Sequence, residues 1–186
     1  MVKFEIGEIL LSCETKPDLF SPKGLDAGTR MLLESIVKII PSYNTAIDWG
    51  CGWGAIGLTL AGLQPQSRVT AIDSDIAAVA VATTNAENNR LHNLKVVASH
   101  GFDQLEPDQK FDLIASHPPT HRGREVVEQM IAQSYERLET EGSLVVVVEA
   151  RLKPWVARSM KASFGQCKIV KRGPKHVVLA ATRVVQ

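Results

Sequence analysis

Apolar residues change their spacing several times along this chain, and each change marks an element. Over residues 3–12 apolar and polar positions partly alternate, the two-residue period of a strand or hairpin arm. Residues 15–26 have no period and contain Pro17, Pro22 and Gly24, so they predict a loop. Met31, Leu32, Leu33, Ile36, Val37 and Ile40 recur at helical spacing, which predicts a helix over 29–40 stopped by Pro41. From Thr45 onward short apolar runs alternate with helical stretches. The runs predict strands over 45–49, 68–72, 95–98, 111–115 and 143–149. Helices are predicted from Ala55 to about Leu63, over 76–89 with Ser74 or Asp75 as cap, and over 125–138. Pro154 opens a last helix ended by Gly165, and 168–171 and 175–181 read as a hairpin joined through Gly173-Pro174.

Alternation of strand and helix predicts an α/β fold. The expected form is a doubly wound, Rossmann-like sheet of seven strands, mostly parallel, with an antiparallel C-terminal hairpin strand. The 186 residues fit one domain with a substantial core. In such sheets ligands bind beyond the carboxyl ends of the strands, so the residues at those ends become the candidates for chemistry.

Composition narrows the setting. Apolar residues are 45 % and charged residues 22 %, ordinary for a globular protein. No apolar run approaches bilayer length, so no membrane partner is expected. Lys3, Glu5 and Glu8 argue against a signal peptide. Cys13, Cys51 and Cys167 are odd in number and lack ligand-like spacing, which suggests reduced thiols and a cytoplasmic location. The net charge of +1 hides an asymmetry. Residues 151–186 hold nine basic and no acidic side chains, while residues 1–150 hold 12 basic and 20 acidic, a balance of −8. The basic segment is either a footprint for an RNA phosphate backbone or a solvated face of the last helix and hairpin.

The most informative stretch is T-A-I-D-W-G-C-G-W-G-A-I-G, residues 45–57. Glycines between a strand and a helix let a ligand approach the backbone where a Cβ would block it. Gly52, Gly54 and Gly57 match the dinucleotide fingerprint, with Asp73 about 20 residues on. Asp48 argues against a pyrophosphate and for a cationic ligand such as S-adenosylmethionine (SAM). A ligand-free glycine turn is the bland alternative. Asp73 ends the second strand, where a carboxylate accepts hydrogen bonds from a ribose diol or caps the next helix. After the third strand come Ser99, His100, Gly101 and Phe102. After the fourth come Ser116, His117, Pro118, Pro119, Thr120 and His121. Three histidines in these loops raise the question of a metal, but no Cys or Glu completes a set at recognised spacing, so none is expected.

Three of these features occur together in one family. They are F-S-P-K-G-L-D-A-G-T over 20–29, the Asp48-x-Gly50-x-Gly52-x-Gly54 turn, and His117-Pro118-Pro119-Thr120. The chain resembles the small-domain class I SAM-dependent methyltransferases, which include ribosomal-RNA guanine-N2 enzymes, from about Phe20 to the C-terminal hairpin. The resemblance implies SAM as cofactor, held by Thr29, Asp48, Gly50, Cys51, Gly52, Gly54, Asp73, Ser74, His100, Gly101 and Phe102. It implies that residues 1–44 cap the SAM site. It also implies that His117, Pro118, Pro119 and Thr120 act on an exocyclic base nitrogen in RNA.

The family motif there is usually Asn-Pro-Pro-aromatic. Asn and a proline carbonyl accept the amine hydrogens, and the aromatic stacks the base. Here His117 replaces Asn and Thr120 replaces the aromatic. Other readings are a SAM-binding subunit without activity that recognises RNA or a partner protein, and a methyltransferase for a small molecule or a protein side chain. A homodimer is a further expectation.

Overall fold

The computed structural model describes residues 1–184; the last two residues of the basic segment lie outside the described residues. The partly alternating N-terminus forms an antiparallel hairpin, β1 (Val2–Ile6) and β2 (Ile9–Cys13), with Gly7 at φ +59° in its turn. Helix α1 (Ala27–Ile39) starts two residues earlier than its apolar spacing suggests, because Asp26 caps it. Asp26 Oδ1 accepts from the Gly28 and Thr29 N–H groups at 2.8 and 3.2 Å.

The remaining strands build one sheet: β3 (Thr45–Trp49), β4 (Arg68–Asp73), β5 (Leu94–Ala98), β6 (Phe111–Ser116), β7 (Leu138–Glu149), β8 (Lys168–Arg172) and β9 (His176–Thr182). Their order is β5-β4-β3-β6-β7-β9-β8. The first five neighbours run parallel, and β9 returns antiparallel between β7 and β8. Four more helices connect them: α2 (Ala55–Leu63), α3 (Ile76–Asn88), α4 (Arg124–Arg137) and α5 (Lys153–Phe164). This is the doubly wound sheet of seven strands that the alternation predicts, and its order reverses between β3 and β6.

Each face of the sheet has its own apolar layer. Leu32 and Leu33 of α1, Leu58 and Leu60 of α2 and Ala82 of α3 cover one face. Val127, Met130 and Ile131 of α4 and Val156 and Met160 of α5 cover the other. Strand β7 begins five residues before the expected 143. A register shift between Phe111 and Leu113 lets Leu138 pair with Phe111 before the regular ladder starts. Gly142 makes this bend feasible, since a Cβ there would lie 2.9 Å from the carbonyl oxygens of Glu139 and Phe111.

The N-terminal segment is fastened to α3 by two asparagines. The buried Asn85 accepts from the Glu14 N–H at 2.7 Å and donates to the Glu14 and Trp53 carbonyls, both at 2.9 Å. Asn89 does the same for Ser12, accepting at 3.1 Å and donating at 2.9 Å. Asn85 thereby joins the N-terminal segment to the residue between the second and third glycines of the turn. Asn85→Ala leaves buried peptide groups unpaired and is expected to destabilise the fold by about 2–3 kcal/mol in denaturant unfolding. A variant as stable as wild type would show that this clamp contributes nothing.

Candidate active site

The carboxyl ends of β3, β4, β5 and β6 open into one cavity of about 960 Å³, whose walls also include the 18–29 segment, α4, the end of β7 and the β8–β9 turn. That volume holds a nucleoside-sized cofactor with room for a second ring. The glycine turn forms the floor. Gly50 and Cys51 N–H both donate to the Ile72 carbonyl, at 2.9 and 3.0 Å, and Gly52 N–H donates to Asp73 Oδ2 at 2.9 Å. Gly50 and Gly52 have φ of +78° and +53°, and a Cβ on either would meet nothing within 4 Å. Glycine is required there by backbone conformation, and the space above it belongs to the cavity.

Thr29, Gly50, Cys51, Gly52, Asp73, Ser74, His100 and Gly101 line the cavity, as do His117, Pro118, Pro119 and Thr120. Three other expected contacts do not. Asp48 is fully buried behind the turn, where its Oδ2 accepts from Gly57 N–H at 2.8 Å. Its Oδ1 has no partner. The direct contact expected between Asp48 and a cationic ligand is therefore revised to a field acting through the turn. Gly54 caps α2 at φ +97° and packs on Leu58 and Ala82. Phe102 is also buried. Its ring packs edge-on against Trp49 at 4.6 Å, in the apolar layer that α4 and α5 cover.

Burial pushes the Asp48 carboxyl up to about 7; the Gly57 hydrogen bond opposes this and the nearby Asp73 adds to it. Burial, with Asp48 and Asp73 alongside, also keeps the Cys51 thiol protonated. Asp73 accepts from Gly52 N–H through Oδ2 and from Asp75 N–H through Oδ1 at 3.0 Å. A carboxylate has about four lone-pair sites, so roughly two remain for a diol. The cap of α3 is Asp75, which accepts from Ala77 N–H at 2.8 Å. These features fit SAM: a cradle without Cβ atoms, a carboxylate with spare lone pairs, and an orphaned carboxylate oxygen beneath the turn.

The second half of the site is built around His117. Strand β6 ends at Ser116, whose hydroxyl donates to the Trp49 carbonyl at 2.6 Å. The chain then turns tightly, with Thr120 N–H donating to the Pro118 carbonyl at 2.8 Å. His117 Nδ1 lies 3.0 Å from Thr29 Oγ1 and 3.6 Å from Asp26 Oδ2. Burial opposes ionisation of Asp26, but hydrogen bonds from His117 and Thr29 outweigh it and hold the carboxyl well below the usual range. A carboxylate facing Nδ1 favours the tautomer with its proton there, which leaves Nε2 as the acceptor.

Sequence reasoning missed Asp26 and His176 as site residues. Asp26 lies inside the F-S-P-K-G-L-D-A-G-T segment, but nothing local links it to a histidine some 90 residues on. His176 opens β9, with its ring 5.8 Å from that of His117. Among the described residues, Asp26, His117 and His176 are the set whose possible metal-ligand atoms converge, within 4.8 Å of one another. The set does not include His100 or His121. Asp26 already accepts from two peptide N–H groups, which fits a hydrogen-bonded cluster.

A doubly wound sheet in this order, with a glycine turn after β3 and carboxylates at the ends of β3 and β4, defines the SAM-dependent methyltransferase class. The chain belongs to the small methyltransferase domain family, whose model matches residues 11–180. Among its relatives, the YbxB protein of Bacillus subtilis (strain 168) is 30 % identical over 89 % of this chain and 83 % of its own length. Ribosomal RNA small subunit methyltransferase C of Actinobacillus pleuropneumoniae serotype 5b is 37 % identical over 89 % of this chain and 50 % of its own length. The T. thermophilus 16S rRNA guanine-N2 methyltransferase RsmC, solved in complex with AdoMet and guanosine, shares the fold. Its TM-score is 0.88 at 24 % identity, over 97 % of this chain and 49 % of that one. The chain thus spans about half the length of the ribosomal-RNA methyltransferases it matches.

The Asp48 carboxyl makes a signed prediction for the ligand-free protein. Its folded pKa is raised, so the stability it contributes is full below the unfolded value near 4 and is lost as pH rises to about 7. Asp48→Asn keeps an acceptor for Gly57 and removes this dependence. Relative to wild type, the variant is expected to gain on the order of 2–4 kcal/mol between pH 4 and pH 8 in denaturant unfolding, while binding SAM about ten-fold more weakly. A stability difference that does not change with pH would contradict the assignment.

Proposed function

We propose that this protein transfers the methyl group of SAM to an exocyclic nitrogen of a base in RNA, of the ribosomal-RNA type. The observation that carries the reading is the placement of His117 by Asp26 and Thr29 in the wall of a cavity that also fits SAM. Bound SAM supplies an electrophilic methyl group on its sulfonium. The chain's own task is to bring a nitrogen in line with it and to make that nitrogen a better nucleophile.

An exocyclic amine loses nucleophilicity because its lone pair is delocalised into the ring. Acceptors on its hydrogens restore electron density. His117 Nε2 serves as one acceptor and takes the proton that leaves. The Pro118 carbonyl is a second acceptor, keeping one lone pair beyond the bond from Thr120 N–H. Asp26 is a positioning residue that stabilises the imidazolium formed when His117 takes the proton. The relatives named as ribosomal RNA methyltransferases support RNA as the substrate class.

The basic segment contributes less than its count suggests. Lys171 pairs with Glu34 at 2.9 Å, and Arg183 donates to the Leu138 carbonyl. Arg151 lines the cavity but pairs with Glu149 at 2.7 Å; Lys175 lines it and is exposed, as are Arg158, Lys161, Lys168 and Arg172 elsewhere on the segment. These are the residues suited to a phosphate backbone. The free thiols fit a cytoplasmic setting. Thr120, which cannot stack a base, favours a second reading: a SAM-binding subunit that recognises RNA without methylating it.

Labelled SAM incubated with RNA, protein and metabolite fractions is expected to label RNA. On that substrate His117→Ala should lose about 100-fold or more, the usual contribution of a proton-transfer group, and His117→Asn should retain activity. Asp26→Asn, which keeps the helix cap but removes the charge facing Nδ1, should lower the rate of transfer while leaving SAM affinity unchanged within about two-fold. SAM binding without transfer to any fraction would favour the second reading, and label confined to protein or metabolites would overturn the proposal.

RNA affinity should fall steeply with salt, with a slope near −0.7 per phosphate contact on single strands. Charge reversal at Arg151, Arg158, Lys161 and Lys175 should flatten that slope while the protein stays folded by circular dichroism. A wild type without measurable RNA binding at low salt would remove the basic segment from the account.

A further inference from the structure

The Pro-Pro motif lacks its aromatic, yet the cavity does not. Phe20 lines it and is 60 % exposed, while the preceding Leu19 is buried. An apolar ring held in the open beside a ligand cavity has been left available for something. Its ring centroid lies 5.0 Å from that of His117, with the planes at 78°.

Phe20 is held in position by its backbone and its neighbours. The Phe20 carbonyl accepts from the indole N–H of the buried Trp53 at 3.0 Å, and Trp53 directly follows Gly52 in the glycine turn. Ser21 adopts φ +51°, a left-handed conformation uncommon outside glycine. Its hydroxyl donates to the Gly24 carbonyl at 2.5 Å, and the Thr15 hydroxyl donates to the Pro22 carbonyl at 2.6 Å. A strained residue fixed on both sides, next to an exposed ring, is the pattern of a segment shaped for a ligand.

We propose that Phe20 is the stacking wall for the acceptor base, supplied from the N-terminal segment rather than from the position Thr120 occupies. A base laid parallel to the Phe20 ring stands across the imidazole plane. An N–H in the plane of the base then meets the in-plane lone pair of His117. The stacking face thus comes from the N-terminal segment that Asp26 and the asparagine clamp hold in place. A planar heteroaromatic substrate fits this slot; an aliphatic amine or a protein side chain gains nothing from the ring. The inference rests on the RNA-base reading above and names the residue that replaces the missing aromatic.

The test compares Phe20→Tyr, Phe20→Leu and Phe20→Ala with wild type. Methyl transfer from labelled SAM to total RNA gives KM and kcat, calorimetry gives SAM affinity, and thermal unfolding confirms the fold. Phe20→Tyr keeps a stacking face and should stay within about two-fold of wild type. Phe20→Leu keeps apolar bulk without that face, and it and Phe20→Ala should raise KM for RNA about ten-fold or more, with SAM affinity unchanged within about two-fold. Wild-type transfer to RNA with Phe20→Leu as efficient as wild type would overturn the stacking role alone. A fall in SAM affinity as large as the loss toward RNA would also overturn it, by moving Phe20 to the cofactor. No transfer to RNA by wild type would overturn the RNA-base reading and the stacking role with it.

Discussion

The site depends on one carboxylate. Asp26 caps α1 through the N–H groups of Gly28 and Thr29, and its other oxygen faces His117 Nδ1. It therefore ties the N-terminal segment to the loop after β6, elements far apart in sequence. Gly28 belongs to the same constraint. A Cβ there would lie 2.9 Å from His176, 3.0 Å from Asp26 and 3.1 Å from His117. Only a residue without a side chain lets the helix start, both histidines and the carboxylate meet. The capping interaction that begins a helix also orients the His117 imidazole.

The two halves of the cavity are joined a second time below the surface. Trp53, inside the glycine turn, donates to Phe20 and lends its carbonyl to Asn85, which also holds Glu14. The cofactor floor and the N-terminal wall are thus one hydrogen-bonded unit. Asp73 plays a matching part on the other side, bonding Gly52 while it lines the cavity. Side chains that shape the loops here also face the ligand, so the cost of ordering the loops is met in the fold before any ligand arrives.

Much of the fold was legible in the sequence because its signals are local. Apolar runs bounded by Gly and Pro gave the strands, and their alternation with helical spacing gave the doubly wound sheet. The β8–β9 hairpin was also readable, whereas residues 3–12 read as a single strand or hairpin arm and form two paired strands. The early start of β7 was not, because it depends on pairing between Phe111 and Leu138. In the site, the glycine turn and the Pro-Pro segment were readable as ligand-facing loops. Which side chains face the ligand was not. Asp48 sits near the end of β3 and Phe102 in the loop after β5, yet both are buried, and position alone does not reveal that. His176 carries no motif, and its role is visible only once β9 lies beside β7. The basic count of residues 151–186 likewise concealed Arg151, Lys171 and Arg183, which have structural partners.

In the proposed reaction Asp26 keeps the His117 proton on Nδ1, so that Nε2 is offered to the substrate. Nitrogen-15 NMR of histidine-labelled protein with SAM bound reports tautomer and protonation for each ring. The expected result is a ring whose proton sits on Nδ1 rather than Nε2, with a shift toward the opposite tautomer in Asp26→Asn. A ring protonated on Nε2 alone at pH 8, unchanged in Asp26→Asn, would contradict it.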